Sequence, residues 1–300
     1  MITNPVFSSY NSSLDILVSQ ENLKAHTQFL STINPPRSYK NTESLVRCAD
    51  YIARNFSDFG FKVSRQHYND GGHSFQNIIA KYNPEKKERV ILGAHYDVCG
   101  NFAGADDNAS GVAGMIEIAR LVAENQPVLE YGIDFVAYST EEPPYFGTEL
   151  MGSAVHADSV IKESLKMMIV LEMIGYYSSE ANSQTYPIEA LKYFYPSTAD
   201  FIAIVGRTAE FSEVRRFKKN MISSCMTEVK SINTPVVFVG IDFSDHRNYW
   251  NRDMKAIMIT NTAFYRNKNY HTANDTPETL DFDKMTEVVK GAYHGLINIQ

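Results

Sequence analysis

Residues 90–120 read VILGAHYDVCGNFAGADDNASGVAGMIEIAR, and the other predicted elements are arranged around this stretch. Its apolar start predicts a buried strand that ends near His95 and Asp97. Further along, Asp107 stands just before a helical pattern of apolar residues. A strand, a loop rich in ligand-type side chains and a helix form the layout of a site at the carboxyl end of a parallel sheet. We therefore predict a metal site in this stretch.

Length and composition are those of an ordinary globular protein. The chain has 300 residues, of which 44% are hydrophobic and 21% charged. Its net charge of −7 argues against nucleic acid or an anionic membrane as a partner. No apolar run reaches the ~18 residues of a membrane span, and the N-terminus lacks the pattern of a signal peptide. We predict a cytoplasmic protein. Its cysteines, Cys48, Cys99 and Cys225, show no paired spacing of metal ligands.

The order of the predicted elements indicates an α/β fold. Helical periodicity covers residues 43–59, 147–157, 158–165, 209–225 and 283–297. Strand-like runs cover residues 61–68, 75–82, 89–94, 133–139, 167–173, 201–205, 235–239 and 256–260. This alternation predicts a three-layer sandwich, in which one mixed, mostly parallel sheet carries helices on both faces. We expect residues 1–300 to form one domain, with residues 175–235 as an elaborated segment packed near the site.

Further candidate ligands follow other predicted elements. Glu141 and Glu142 come directly after the strand that ends near residue 139. Adjacent carboxylates repel each other, so a buried pair needs a cation or hydrogen-bond partners. Glu172 lies in an apolar strand, where a charged side chain is rarely left unpaired. His271 stands shortly before the last helix.

The charges of these residues balance those of two divalent cations. The carboxylates of Asp107, Glu142 and Glu172, together with one bridging hydroxide, offset four positive charges, and one histidine remains for each metal. Zinc accepts such mixed ligands, and two metals ~3.5–4 Å apart can share a hydroxide and stabilise a tetrahedral intermediate.

Two acidic residues have no place in this count of ligands. Glu141 is then the expected general base for the water and the later proton donor to a leaving amine. Asp97 is expected to hydrogen-bond the second ring nitrogen of His95 and so to fix its tautomer.

The order of the motifs resembles that of the co-catalytic zinc exopeptidases, a group with bacterial leucyl-type aminopeptidases, glutamate carboxypeptidase and glutaminyl cyclase. The shared motifs are GAHYD, GADDNASG, the Glu-Glu pair, Leu-Glu-Met and a late Tyr-His-Thr. The resemblance implies a zinc-exopeptidase (phosphorylase/hydrolase-like) fold and a single metallopeptidase catalytic domain. It also implies how the ligands pair: His95 and Glu172 on one zinc, Glu142 and His271 on the other, and Asp107 between them.

Other features of the family can be compared with the chain in the same way. In the family the bridging aspartate precedes a cis peptide, which here is the bond from Asp107 to Asn108. Many members have aspartate where this chain has Glu172. The loop after the Glu pair, residues 143–146, begins with two prolines and is stiffer than usual. No protease-associated or helical dimerisation domain is inserted, which favours a compact exopeptidase.

The resemblance implies a metal-dependent aminopeptidase that removes the N-terminal residue of peptides. The expected cofactors are two divalent metal ions, with zinc as the first choice, although cobalt and manganese tolerate the same ligands. The candidate substrate-binding residues are Tyr145, Tyr176, Asp245, His246, Arg247 and Tyr265.

Alternative functions stay open at this point. A carboxypeptidase or dipeptidase would use Arg247 or Arg266 to bind a substrate carboxylate. A glutaminyl cyclase or a non-catalytic binding homologue is less favoured, because every expected ligand is present. The residue that is cleaved and the choice between a monomer and a small homo-oligomer are left undecided.

Overall fold

The computed structural model describes residues 3–11, 13, 14, 16–238 and 240–299. Its α-helices are α1 (Gln20–Ser31), α2 (Thr42–Asp58), α3 (Gly111–Asn125), α4 (Gly152–Ser159), α5 (Phe211–Ser224), α6 (His246–Asn251) and α7 (Phe282–Ile297). Its strands are β1 (Lys62–Asn69), β2 (Ser74–Tyr82), β3 (Arg89–His95), β4 (Gly132–Tyr138), β5 (Leu165–Glu172), β6 (Phe201–Arg207), β7 (Glu228–Thr234) and β8 (Ala256–Thr260). None of these helices is long and apolar enough to cross a membrane.

The strands form one sheet in the order β1-β2-β4-β3-β5-β8-β6-β7. The neighbours β4, β3, β5 and β8 are all parallel, so their carboxyl ends lie at the same edge. Antiparallel pairing joins β2 to β4, β1 to β2, and β6 to β8, while β7 is parallel to β6. The predicted mixed and mostly parallel sheet is confirmed.

Apolar clusters cover both faces of the sheet. Successive strand residues point to opposite faces, and in β3 Leu92 belongs to a large cluster with α1, α2, α3, α5 and α7. Its neighbour Ile91 belongs to a smaller cluster with residues of α4 and α6. The three-layer sandwich expected from the sequence is therefore confirmed.

Some predicted elements are wrong. The helix predicted over residues 147–157 begins only at Gly152, because Gly147 has a φ of +76° and belongs to a run of turns. The helix predicted over residues 158–165 is reduced to the 3₁₀ turn Lys162–Ser164, since Val160 is already extended. Residues 235–238 form turns rather than a strand, and Val239 lies outside the described residues.

Candidate metal centre

The candidate ligands meet because their strands run in parallel. His95 is the last residue of β3 and Glu172 the last residue of β5. Glu141 and Glu142 follow β4, the other neighbour of β3. All four side chains are buried. The carboxyl edge of the sheet thus gathers one imidazole and three carboxyl groups in a small volume.

Asp107 lies between two histidines. It precedes α3, and the Asp107–Asn108 peptide bond is cis, as the resemblance implied. One carboxylate oxygen, Oδ1, lies 3.3 Å from His95 Nε2, and the other, Oδ2, lies 3.0 Å from His271 Nε2. A carboxylate with one histidine at each oxygen has the geometry of a bridge between two positions.

Two groups of ligand atoms surround those positions. In the first position, His95, Asp107 and Glu172 have ligand atoms within 4.8 Å of one another. In the second, His271 Nε2 lies 3.2 Å from Glu142 Oε1 and 3.0 Å from Asp107 Oδ2. Nitrogen and carboxylate donors in these numbers suit zinc, so the residues present fit two divalent ions.

The electrostatics of the cluster favour cations. Burial and then the charge of Asp107 raise the pKa of Glu142 to about 8. Burial acts to lower the pKa of His271, but its hydrogen bonds to Asp107 and Glu142 raise that pKa to about 10. Without metal the cluster therefore retains protons. Metal ligands must lose their protons to bind, so metal affinity will fall at low pH.

Asp97 orients the Glu-Glu pair. Its two carboxylate oxygens accept hydrogen bonds from the backbone N–H groups of Glu141 and Glu142, each at 3.0 Å. Its Oδ1 lies 3.5 Å from His95 Nδ1, beyond the usual 2.7–3.2 Å of a hydrogen bond, and among the described residues His95 Nδ1 has no hydrogen-bond partner. The hydrogen bond expected between Asp97 and His95 is therefore not formed in this structure. Asp97 thus connects the end of β3 to the loop after β4.

Glu141 lies beside the first position. Its Oε2 is 3.9 Å from His95 Nε2, and the side chain is buried. Burial raises the pKa of Glu141 well above its ordinary value, and the neighbouring Glu142 and Glu172 add to the shift. A buried carboxyl group with a raised pKa is suited to general acid–base chemistry.

The other predicted site residues are distributed more widely. Tyr265 lines an apolar cavity of about 130 Å³ that also borders Glu172. The Tyr145 hydroxyl donates to Asp70, and the buried Tyr145 ring packs against Phe75 rather than reaching this cavity. Tyr176 donates its backbone N–H to the Asp106 carboxylate at 3.2 Å.

Ser244, Asp245 and His246 are consecutive buried residues, one of which contacts a candidate ligand. Ser244 Oγ donates to Glu172 Oε2 at 2.6 Å. Asp245 is fully buried, and burial raises its pKa to about 7. His246 Nε2 lies 2.7 Å from the Ile241 carbonyl, and its ring packs against Trp250. In this motif it is the serine hydroxyl that contacts a candidate ligand.

The two candidate carboxylate-binding arginines differ in their surroundings. Arg247 is half-buried and stacks over Phe146 at 4.7 Å. Arg266 is buried and donates to Gln184 and to the backbone carbonyls of Ala199 and Phe201. Arg266 therefore has a structural role in this fold.

Asp275 and Asp106, which were not among the predicted site residues, hold the loop around Asp107 in place. The carboxylate oxygens of Asp275 accept the backbone N–H groups of Asp106 at 2.9 Å and Asp107 at 3.1 Å. Asp106 accepts hydrogen bonds from the side chains of Asn261 and Asn267 at 2.9 and 2.7 Å. In the sequence, these two residues could have been noticed only by position: Asp275 stands shortly after His271, and Asp106 stands next to Asp107.

Arg37 is a third residue that was not among the predicted site residues. It is 1% exposed, and its guanidinium donates to backbone carbonyls of Leu30, Tyr96, Ala103 and Gly104. These carbonyls belong to the end of α1, the loop after His95 and the loop before Asp107. Arg37 thus ties together the two loops that flank the first position.

Comparison with known proteins points to one family. The family described as peptidase family M28 matches residues 77–294. The uncharacterized protein YfbL of Escherichia coli (strain K12) is 46% identical over 288 residues, which cover 93% of this chain and 88% of that protein. A probable leucine aminopeptidase of Trichophyton verrucosum (strain HKI 0517) is 27% identical over 311 residues, 96% of this chain and 75% of that protein.

Solved structures share the fold. An aminopeptidase from Aneurinibacillus sp. strain AM-1 superposes with a TM-score of 0.72 at 14% identity, covering 94% of each chain. A Bacteroides thetaiotaomicron glutaminyl cyclase superposes with a TM-score of 0.68 at 21% identity, covering 95% of this chain and 99% of that one. At such identities the likeness supports the fold alone.

Proposed function

The chain belongs to peptidase family M28, and we propose on this basis that it is a metal-dependent aminopeptidase for peptides with an apolar N-terminal residue. The observation that supports this most strongly is the placement of Asp107 between His95 and His271, with Glu172 and Glu142 completing the two positions. We propose zinc as the metal at both.

The proposed chemistry divides between the metals and the chain. Two divalent ions bound there would polarise the scissile carbonyl and acidify a water molecule. Glu141 accepts the proton from that water and later donates it to the leaving amine. Burial raises the pKa of the Glu141 carboxyl in the metal-free protein, which favours the protonated form that donates to the amine. Asp97 holds the backbone of Glu141 in the required orientation.

The apolar cavity supports the proposed specificity. It opens beside Glu172, and its lining includes Met258, Phe264, Tyr265 and Ala203. Burying an apolar side chain in such a cavity contributes roughly 1.5–3 kcal/mol, so leucine, methionine or phenylalanine is favoured over a charged first residue. The leucine aminopeptidase relative agrees with this proposal.

A carboxypeptidase or dipeptidase is the first alternative. It would require a cation that binds the carboxylate of the substrate, and Arg247 is the available candidate. Its guanidinium already stacks on Phe146 and lies 3.7 Å from Asp242. Carboxylate binding would compete with these contacts, so we favour the aminopeptidase. The location in the cytoplasm and the state as a monomer or small homo-oligomer stay predictions.

The test is a panel of peptides on the zinc-loaded protein. Leu-, Phe-, Ala- and Glu-starting tripeptides are compared with N-acetylated and C-amidated versions. We expect cleavage of the free-amine Leu and Phe peptides, no cleavage after acetylation, and no effect of amidation. Activity that is lost on amidation but survives acetylation would overturn the proposal in favour of a carboxypeptidase.

A further inference from the structure

We propose that Cys99 is an additional ligand of the second metal position, where its sulfur joins Asp107, Glu142 and His271. The two metal positions would then differ in their donor atoms, because the second includes a sulfur whereas the first has only nitrogen and oxygen donors. This inference rests on the proposed metal centre. It concerns a residue whose sequence spacing gave no sign of metal binding.

The position of Cys99 in the fold brings its thiol to the site. Cys99 lies in the loop that follows β3, two residues after Asp97, and it is partly exposed. Its Sγ, a carboxylate oxygen of Glu142 and a ring nitrogen of His271 all lie within 4.8 Å of one another. The thiol therefore faces the same two residues that define the second position.

A small cavity joins the thiol to the bridging carboxylate. Its lining includes Val98, Cys99, Asp107, His271 and Asp275. The space beside Cys99 thus also reaches Asp107, the remaining group of the second position.

The distances require only a small adjustment. Zinc binds sulfur at ~2.3 Å and histidine nitrogen at ~2.0–2.1 Å, so neighbouring sulfur and nitrogen ligands of one ion lie roughly 3–3.5 Å apart. The thiolate would be the fourth protein ligand of the second position, and the water of the proposed reaction would be a fifth ligand. Since the atoms here already lie within 4.8 Å, a shift of Cys99 by about 1 Å completes the contact. The cysteine is in a loop rather than in β3, so the strand need not move.

The chemistry distinguishes the two positions. Cys99 supplies a soft sulfur donor, and its thiol loses its proton when it coordinates a cation. His95, Asp107 and Glu172 supply harder nitrogen and oxygen donors. The second position is therefore expected to bind cobalt, zinc or cadmium in preference to manganese, whereas the first accepts all of them.

Cobalt spectroscopy tests the proposal without relying on activity. The wild type, Cys99→Ser and the control Cys225→Ser are loaded with cobalt(II), and metal content and near-ultraviolet absorption are recorded together. Cys225 is the matched control because it is buried and donates to the Thr227 carbonyl, a hydrogen bond that serine can also make. We expect a thiolate-to-cobalt charge-transfer band in the wild type and in Cys225→Ser, and its loss in Cys99→Ser.

Two outcomes would overturn the inference while leaving the metal centre in place. One is two cobalt ions per chain without the band, and the other is a band that persists in Cys99→Ser. If wild-type protein binds no cobalt, the proposed centre fails as well. A second readout is cadmium loading, which should give a thiolate-to-cadmium charge-transfer band in the wild type and in Cys225→Ser but not in Cys99→Ser. A cadmium-loaded wild type without that band would contradict the proposal.

Discussion

At the level of single residues, the site is held by carboxylates that accept backbone N–H groups. Asp97 fixes the two glutamates after β4, and Asp275 fixes Asp106 and Asp107 before α3. Hydrogen bonds of this kind hold a side chain and the backbone it binds in one geometry. The proposed ligands therefore depend on neighbours that are not proposed as ligands themselves.

Asp275→Asn tests this dependence. An amide presents only one acceptor oxygen, so its NH₂ group would face one of the two backbone N–H donors and the hydrogen bond would be lost. We expect metal affinity to fall by roughly 10–100-fold, as is usual when a group that supports a ligand is removed. Competition with a chromophoric chelator measures the change.

Asp283→Asn is the matched control for that variant. Asp283 is exposed in the first turn of α7, outside both metal positions, so its substitution should leave metal affinity unchanged. An Asp275→Asn protein with wild-type affinity would show that Asp275 does not position the bridging residue.

The sequence indicated the candidate ligands better than the residues that support them. His95, Glu142 and Glu172 stand at the ends of apolar strands, where a charged or titratable side chain is conspicuous. Asp275 and Arg37 bind backbone groups, and nothing in a sequence shows which backbone groups will lie near them. Cys99 was missed for a related reason, since its neighbours come from distant parts of the chain.

At the level of elements, Arg37 connects the end of α1 to the loops around the site. Arg37→Lys would leave several of the four buried carbonyls without a donor, and each such group costs roughly 1–3 kcal/mol. We expect the free energy of unfolding of the metal-free protein to fall by about 3 kcal/mol or more. Urea denaturation provides the measurement.

Arg47→Lys serves as its control. Arg47 is exposed on α2 and makes one 3.3 Å hydrogen bond to the Asn34 carbonyl, so the change should stay within about 0.5 kcal/mol. Equal effects of the two substitutions would mean that the buried hydrogen bonds of Arg37 contribute little.

A second prediction at the level of elements concerns the strand β6, which contributes to the wall of the apolar cavity. Ala203 on β6 lines the cavity, and Ala203→Leu would fill part of it. We expect kcat/KM for leucyl substrates to fall by roughly 10-fold or more, whereas alanyl substrates change much less, as is typical when an apolar pocket is reshaped. Ala203→Ser keeps the volume and should preserve the ratio. A parallel fall for both substrates would place the specificity pocket elsewhere.

The central strands and the edge strand β1 were predicted well, but the other edge strand, β7, was not. β8 was predicted with its observed bounds, Ala256–Thr260. β7 was missed because its buried side chains include the polar Ser231 and Asn233, which bond to Asn4 near the start of the chain. When the buried side chains of a strand are polar and their hydrogen-bond partners are distant in sequence, the sequence lacks the apolar alternation that predicts a strand. A helix was wrongly predicted over residues 158–165 because apolar periodicity does not distinguish a helix from the short connection that leads into β5.

At the level of the whole molecule, buried histidines make stability depend on pH. Burial lowers the pKa of His26, His156 and His246 to about 4 in each case. The unfolded chain therefore binds more protons than the folded one between pH 6.5 and 4. Their contribution to stability is fully present above pH 6.5 and is lost as the pH falls toward 4, by about 3 kcal/mol for one such histidine.

His156→Gln isolates one of these contributions. In chelated protein, we expect the free energy of unfolding of this variant to fall less steeply between pH 7 and 4.5 than that of the wild type. His67→Gln, at an exposed position on β1, should follow the wild type. If the wild type and both variants have the same slope, His156 does not titrate as its burial implies.

The whole account depends on five residues from separate elements forming two metal positions. The most direct measurement is the zinc content of the wild type, Asp107→Asn and Glu141→Gln, each with its rate of leucyl-peptide hydrolysis. We expect two zinc ions per wild-type chain, loss of zinc in Asp107→Asn, and full zinc content with a rate reduced by roughly 10²-fold or more in Glu141→Gln. One zinc ion or none in the wild type, or an active Glu141→Gln protein, would contradict the account.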